Sequence, residues 1–168
     1  AAATHELRKD NRYRLDVVPS SDDRQGLESA QFGSGFDAYP AELSERIDEL
    51  VGPIESELGA RVGGTPFQRA EALEAYFTSD TDKWFFSDGG EEATGLADVT
   101  AGHSVARLKQ LLETRVGNAE QYAAVMAIIA HRMDMPARVV MGFRSERSGE
   151  VELKGGDVTA WVEIEFQG

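Results

Sequence analysis

Residues 117–143 read GNAEQYAAVMAIIAHRMDMPARVVMGF, and this stretch decides the fold. Asn118 is a favoured N-cap residue, and Gly117 before it stops the preceding element. The run from Ala119 to Met133 has only Glu120, Gln121, His131 and Arg132 as strongly polar members. A helix that is apolar nearly all round belongs in the interior, so residues 119 to 133 are predicted to form a buried central helix. Pro136 prevents it from continuing, and Ala137 to Phe143 is rich in β-branched residues and reads as a strand.

Outward from this unit, Ser145 to Gly149 reads as a turn, Val151 to Leu153 as a short strand, Gly155-Gly156 as a second turn and Val158 to Phe166 as a final strand. Upstream, Ser104 caps a helix through Val105, Leu108, Leu111 and Leu112, and Thr65-Pro66 supplies a cap and an N1 proline for a helix carrying Phe67, Ala70, Leu73 and Tyr76. Pro40 and Pro53 each open a short surface helix, the first with Leu43, Ile47 and Leu50, the second with Ile54 and Leu58. Trp84, Phe85 and Phe86 lie in a Gly-, Asp- and Glu-rich stretch between Ser79 and Gly102, which suits an aromatic-anchored loop. Tyr13, Leu15 and Val17 alternate as a strand with no local partner, and a polar segment from Ser20 to Gly35 follows. Residues 1–40 are therefore expected to be an extension or the end of a preceding domain, and 41–168 one domain. Helices first and an antiparallel sheet last define the α+β class.

The chain has 168 residues, 41% of them hydrophobic, enough for one core. A formal charge of −13 argues against nucleic acid and anionic lipid as partners, which select Lys/Arg clusters. No apolar run approaches the roughly 18 residues of a membrane span. There is no cysteine, so disulfides, thiolate metal sites and thiol catalysis are excluded together. His5, His103 and His131 are scattered with no i, i+4 pair, which gives a metal site no support, and no cofactor is implied.

Three motifs carry a resemblance: Gly117-Asn118-Ala119-Glu120-Gln121-Tyr122-Ala123, Met135-Pro136-Ala137-Arg138-Val139-Val140-Met141-Gly142-Phe143, and Thr159-Ala160-Trp161-Val162-Glu163-Ile164. They resemble the transglutaminase-like superfamily, whose motifs read Gly-x-Cys-x-x-Phe/Tyr-Ala, Gly-Ile-Pro-Ala-Arg-Val-Val-x-Gly-Tyr/Phe and His-Ala-Trp-Val-Glu-Val. The resemblance implies a papain-like fold and covers roughly Thr65 to the end. In arrangement the chain is most similar to the extracytoplasmic TgpA-type domains of bacterial membrane proteins.

In this register the family's nucleophilic cysteine falls on Ala119 and its histidine on Thr159, which are expected to face each other across a shallow cleft. The family's third member, an Asp, would lie beyond Gly168, so the domain reads as C-terminally truncated. A cysteine in a first helical turn is activated by the helix dipole and by an imidazolium, and neither a methyl nor a hydroxyl group replaces that chemistry. The resemblance therefore implies a noncatalytic binding or scaffolding module, extracytoplasmic and joined to a membrane only through flanking segments of a longer protein. The alternative is an active-site-disarmed form of a transglutaminase or cysteine peptidase. Loss of both Cys and His points to natural degeneracy, because removing the cysteine alone disarms such a site. The candidate binding residues are Trp84, Glu120, Tyr122, Asp157 and Trp161, for a peptide, protein or cell-wall glycan ligand. Four of them have a plainer role: core anchoring for Trp84, dipole complementarity for Glu120, and a solvated strand face for Asp157 and Trp161. Arg138 is expected to make an ion pair within the protein.

Overall fold

The computed structural model of the chain describes residues 24–34, 41–59, 64–78, 84–87, 102–144 and 151–167, without the side chains of 41–47 and 50. The expected strand at Tyr13 to Val17, the turn at 145–149 and most of the stretch from 79 to 102 lie outside them.

The central helix forms where the sequence places it. α5 runs Ala119–Arg132, and Asn118 closes a reciprocal capping box with Gln121: the Gln121 N–H donates to Asn118 Oδ1 at 3.0 Å and the Asn118 N–H to Gln121 Oε1 at 3.3 Å. The helix ends as Asp134 turns left-handed (φ 57°) ahead of Pro136. Val125, Ile129 and Ala130 are fully buried, and this core also takes in Leu73 of α3 (Pro66–Thr78) and Leu108 and Leu111 of α4 (Val105–Thr114). At the far end Arg132 pairs with Asp48 at 2.8 Å and Glu55 at 3.1 Å, which ties α5 to α2 (Ala41–Gly59).

α2 corrects the expected pair of short helices, because the helix continues through Pro53. An interior proline costs about 3 kcal/mol. Val51, Ile54 and Leu58 of the same helix are 0–7% exposed, and burying three such side chains at about 1.5–3 kcal/mol each outweighs the break. These residues face the core, so the helix is not a surface element along this length. α3 starts as predicted, with Thr65 and Gln68 exchanging backbone-to-side-chain hydrogen bonds at 3.0 and 3.3 Å.

β4 (Ala137–Phe143) and β5 (Val158–Ile164) form the expected antiparallel pair in the register Ala137↔Ile164 to Phe143↔Val158. Val162 and Ile164 pack on the core from one face. That face is left open further along, where Val139, Met141, Phe143 and Val158 are 38–58% exposed. The opposite face carries Arg138, Gly142, Thr159, Trp161 and Glu163. Val151 to Leu153 makes no ladder. Asp157 instead closes a tight 3-10 turn over Gly155–Asp157, its backbone N–H donating to the Lys154 carbonyl at 2.9 Å and its carboxylate accepting the Lys154 N–H at 2.7 Å.

Two short ladders add to the expected sheet. β1 (Gln31–Phe32) pairs antiparallel with β6 (Phe166–Gln167), so the last strand breaks at Glu165 and resumes against the N-terminal part. β2 (Phe85–Phe86) pairs parallel with β3 (Val116–Gly117). The polar segment read between Ser20 and Gly35 contains α1 (Arg24–Ser29), which lies against α3 with Arg24 paired to Glu71 and its guanidinium 5.4 Å from the Phe67 ring. Phe32 stacks on Phe166 at 5.4 Å. Residues 24–33 are thus packed on the rest of the described chain.

Candidate functional site

Ala119 is the first residue of α5, half-buried at the positive end of a 14-residue helix. It presents a methyl group where the resemblance expects a thiol. Gly117 holds the approach to this end. A Cβ built on it would stand 2.7 Å from Leu111 Cδ1 and 2.9 Å from Gln121 Oε1, so the motif glycine serves close packing. The expectation that Gly117 stops α4 is corrected: the helix ends at Arg115, left-handed at φ 60°, and Gly117 sits in β3.

Gln121, Gly102 and His103, which the sequence reading did not single out as site residues, gather here with Glu120. Gln121 is 3% exposed, and beyond its capping role its Nε2 donates to the Gly102 carbonyl at 3.1 Å. Glu120 accepts the Gly102 N–H at 3.3 Å and the His103 Nδ1–H at 2.5 Å. The Asn118-x-x-Gln121 spacing is a visible capping-box signature. Nothing in the spacing of His103 announced its meeting with Glu120. In the neutral imidazole a carboxylate accepting from Nδ1–H leaves the lone pair on Nε2. Glu120 therefore does more than complement the dipole: it fastens the segment before α4 to the start of α5.

Thr159 is the second residue of β5, opposite Gly142. Its neighbours on that face form a fixed group. Arg138 donates from Nε and Nη2 to Glu163 Oε2 at 2.9 and 2.7 Å, and the Trp161 indole N–H donates to Glu163 Oε1 at 3.2 Å. Hydrogen bonds from Arg138 first and Trp161 second hold the Glu163 carboxyl below the usual range. The end of the Trp161 ring lies directly over Gly142, where a Cβ would come within 3.1 Å of it. The ion pair expected for Arg138 is present. It is also exposed, with side chains 59% and 42% accessible, which limits its worth. Asp157 is engaged in its own turn and does not join this group. His131, near the end of α5, donates from Nε2 to the Ala137 carbonyl at 2.6 Å and joins the helix to β4.

Trp84 and Tyr122 are brought together at 6.0 Å between ring centroids, with Phe77 5.1 Å and Tyr76 5.9 Å from Trp84. Trp84 is 9% exposed, so it anchors, whereas Phe85 and Phe86 stand out into solvent at 47% and 68%. The Tyr122 hydroxyl donates to the Phe85 and Arg115 carbonyls at 2.9 and 3.2 Å, and burial raises its pKa to about 12. Trp84 also lines a groove of about 620 Å³ between α2 and α4, together with the apolar Pro53, Ile54, Val105 and Leu112 and the charged Glu49, Glu57, Lys109, Glu113 and Arg115. Among the described residues no three His, Cys, Asp or Glu side chains converge as a metal site. No described helix is long and apolar enough to cross a membrane.

A capped helix with a glycine-packed N-terminus, laid on an antiparallel strand pair that carries Ala-Arg-Val-Val and Ala-Trp-Val-Glu, defines the class. Residues 58–168 match the transglutaminase-like superfamily, and the chain belongs to that superfamily. It is similar to the uncharacterized protein YebA of Bacillus subtilis (strain 168), with 22% identity over 167 residues that cover 92% of this chain and 20% of YebA. Among solved structures it is similar to the periplasmic domain of TgpA from Pseudomonas aeruginosa, crystallised bound to ethylmercury, with a TM-score of 0.46, 20% identity, and coverage of 76% of this chain and 41% of that one. The chain spans about one fifth of the length of YebA and two fifths of the TgpA chain.

Proposed function

We propose that this is a noncatalytic member of the transglutaminase-like superfamily, a binding or scaffolding module of a longer, membrane-associated bacterial protein, placed outside the cytoplasm. The observation that carries the reading is the start of α5. The capping box, the close-packed Gly117 and the helix terminus are in place around Ala119, while the chain has no thiol anywhere. Acyl transfer through a cysteine needs a thiolate as nucleophile and an imidazole to hand its proton to the leaving amine. Ala119 offers no lone pair, and Thr159 has no basic group near neutral pH. A scaffold with this polarity and no reacting atom serves to hold a ligand or a neighbouring chain.

Purified protein assayed with glutamine-donor, amide and peptide substrates tests the reading. Turnover is expected to equal the buffer blank, and turnover above it that survives repurification overturns the proposal. One observation favours a second reading, in which the acid–base group has moved: His103 is held by Glu120 beside Ala119. That reading requires activity that disappears in His103→Asn.

A further inference from the structure

We propose that the groove between α2 and α4 docks a basic amphipathic helix of a partner protein; this rests on the binding-module reading and names the partner's chemistry. The walls are successive turns of two helices. Val105, Lys109 and Leu112 line one side at i, i+4 and i+7, and Glu49, Pro53 and Glu57 line the other at i, i+4 and i+8. A cleft bounded by the turns of two helices is shaped to receive the ridge of a third, whose i, i+3 or i+4 and i+7 side chains enter it. Ile54, Leu112 and Trp84 add to its apolar lining.

Charge selects the guest. The α2 wall carries Glu49 and Glu57 and no cation, two turns or about 12 Å apart at 1.5 Å per residue. On the α4 wall Lys109 lies 3.8 Å from Glu113, so that pair offsets itself. Arg115 is placed with its guanidinium 5.4 Å from the Trp84 ring. Pro53 has no N–H, which leaves the Glu49 carbonyl without its α-helical donor on this same wall. Two carboxylates and a carbonyl deprived of its regular partner fit Lys or Arg side chains spaced two turns apart. Glu57 is already aimed, since its Oε2 accepts the Tyr76 hydroxyl at 3.0 Å. A second copy of this chain is disfavoured by its formal charge of −13. A glycan is disfavoured because Trp84 is only 9% exposed and the Arg115 guanidinium already stands over its ring.

The test uses the full chain and two fluorescent synthetic peptides of about 15 residues, each with a leucine stripe at helical spacing, one carrying Lys and the other Glu on the flanking positions. Anisotropy should show the Lys peptide binding and the Glu peptide not. Glu49→Lys alone should weaken the Lys peptide at least ~10-fold, and Val105→Asp should weaken it similarly. Glu152→Lys, an exposed carboxylate outside the groove, should change binding less than ~2-fold. Far-UV circular dichroism checks that each variant is folded; Glu49 is exposed, and Val105, itself 39% exposed, provides an independent variant of the same groove. Equal binding of the two peptides, an unchanged affinity in folded Glu49→Lys, or an equal loss in Glu152→Lys overturns the proposal. The turnover assay is independent: a groove that binds neither peptide in a protein without turnover sinks this inference and leaves the noncatalytic reading standing.

Discussion

Gly117→Ala adds one methyl group to the tightest place around α5. The new Cβ would lie 2.7 Å from Leu111 Cδ1 and 2.9 Å from Gln121 Oε1, both inside van der Waals contact. Neither neighbour yields freely. Leu111 is 1% exposed and embedded in the core, and Gln121 is 3% exposed with its side chain committed to Asn118 and Gly102. Overpacking of a filled interior costs about 1–3 kcal/mol, and each hydrogen bond lost as Gln121 shifts adds about 0.5–1.5 kcal/mol. The expected destabilisation is about 2–3 kcal/mol. For a chain of this size that lowers the Tm by roughly 4–12 °C in a calorimetric or circular dichroism melt. Because the clash is with a particular methyl group, Leu111→Ala should relieve part of it. The double variant should then be less destabilised than the sum of the singles by about 1 kcal/mol. A Gly117→Ala protein within about 0.5 kcal/mol of the parent, or a strictly additive cycle, refutes the close-packing account of this glycine.

Tyr122, with its pKa raised to about 12 in the fold against 10.0 ordinarily, favours the protonated folded state. Stability is therefore level below pH 10 with respect to this group and falls as pH rises from 10 towards 12, by roughly 1–2 kcal/mol after allowing for partial exposure. Denaturant titrations across this range should show the fall, and Tyr122→Phe should flatten it. A slope unchanged by the substitution contradicts the assignment. Arg138→Ala removes an exposed pair and should cost no more than about 1 kcal/mol in urea denaturation, and a loss above ~2 kcal/mol would mean that the pair is far better shielded than its accessibility indicates. The low Glu163 pKa adds a pH signature: the pair's contribution is present above the unfolded carboxylate pKa and is lost as pH falls through the folded one, so the difference between Arg138→Ala and the parent should shrink in acid.

What the sequence revealed best were the elements with a local physical cause. Asn118 and Thr65 announced helix starts because capping is decided within four residues, and the apolar run after Ala119 announced burial because almost every face of the helix is apolar. The β4–β5 pair was legible from its β-branched residues. What escaped were features decided by distant partners. Pro53 looks like a boundary, yet burial of Val51, Ile54 and Leu58 carries α2 through it. The strands Gln31–Phe32 and Phe85–Phe86 are two residues long, too short for any periodicity, and exist through pairing with Phe166–Gln167 and Val116–Gly117. Gly117 looks like a helix stop and is a packing glycine. At the site, Trp84 meets Tyr122 as a pair of anchors, Glu120 is claimed by His103, Asp157 is spent on its own turn, and Trp161 joins Glu163 and Arg138. Alternation along β5 placed Trp161 and Glu163 on one face; their bonds to each other and to Arg138 required the partner strand.

The proposed reading, that Ala119 and Thr159 stand at the family's catalytic positions without its chemistry, is tested most directly by thiol reactivity. The chain has no cysteine, so Ala119→Cys introduces a single thiol with no background. Iodoacetamide alkylation is measured against pH in Ala119→Cys and in Ala119→Cys/Thr159→His. The helix terminus alone should lower the thiol pKa modestly below the ~8.5 of free cysteine, and the added imidazolium should lower it clearly further. An ordinary pKa near ~8.5 in the double variant, indistinguishable from the single one, would mean that positions 119 and 159 do not meet, and would contradict the account.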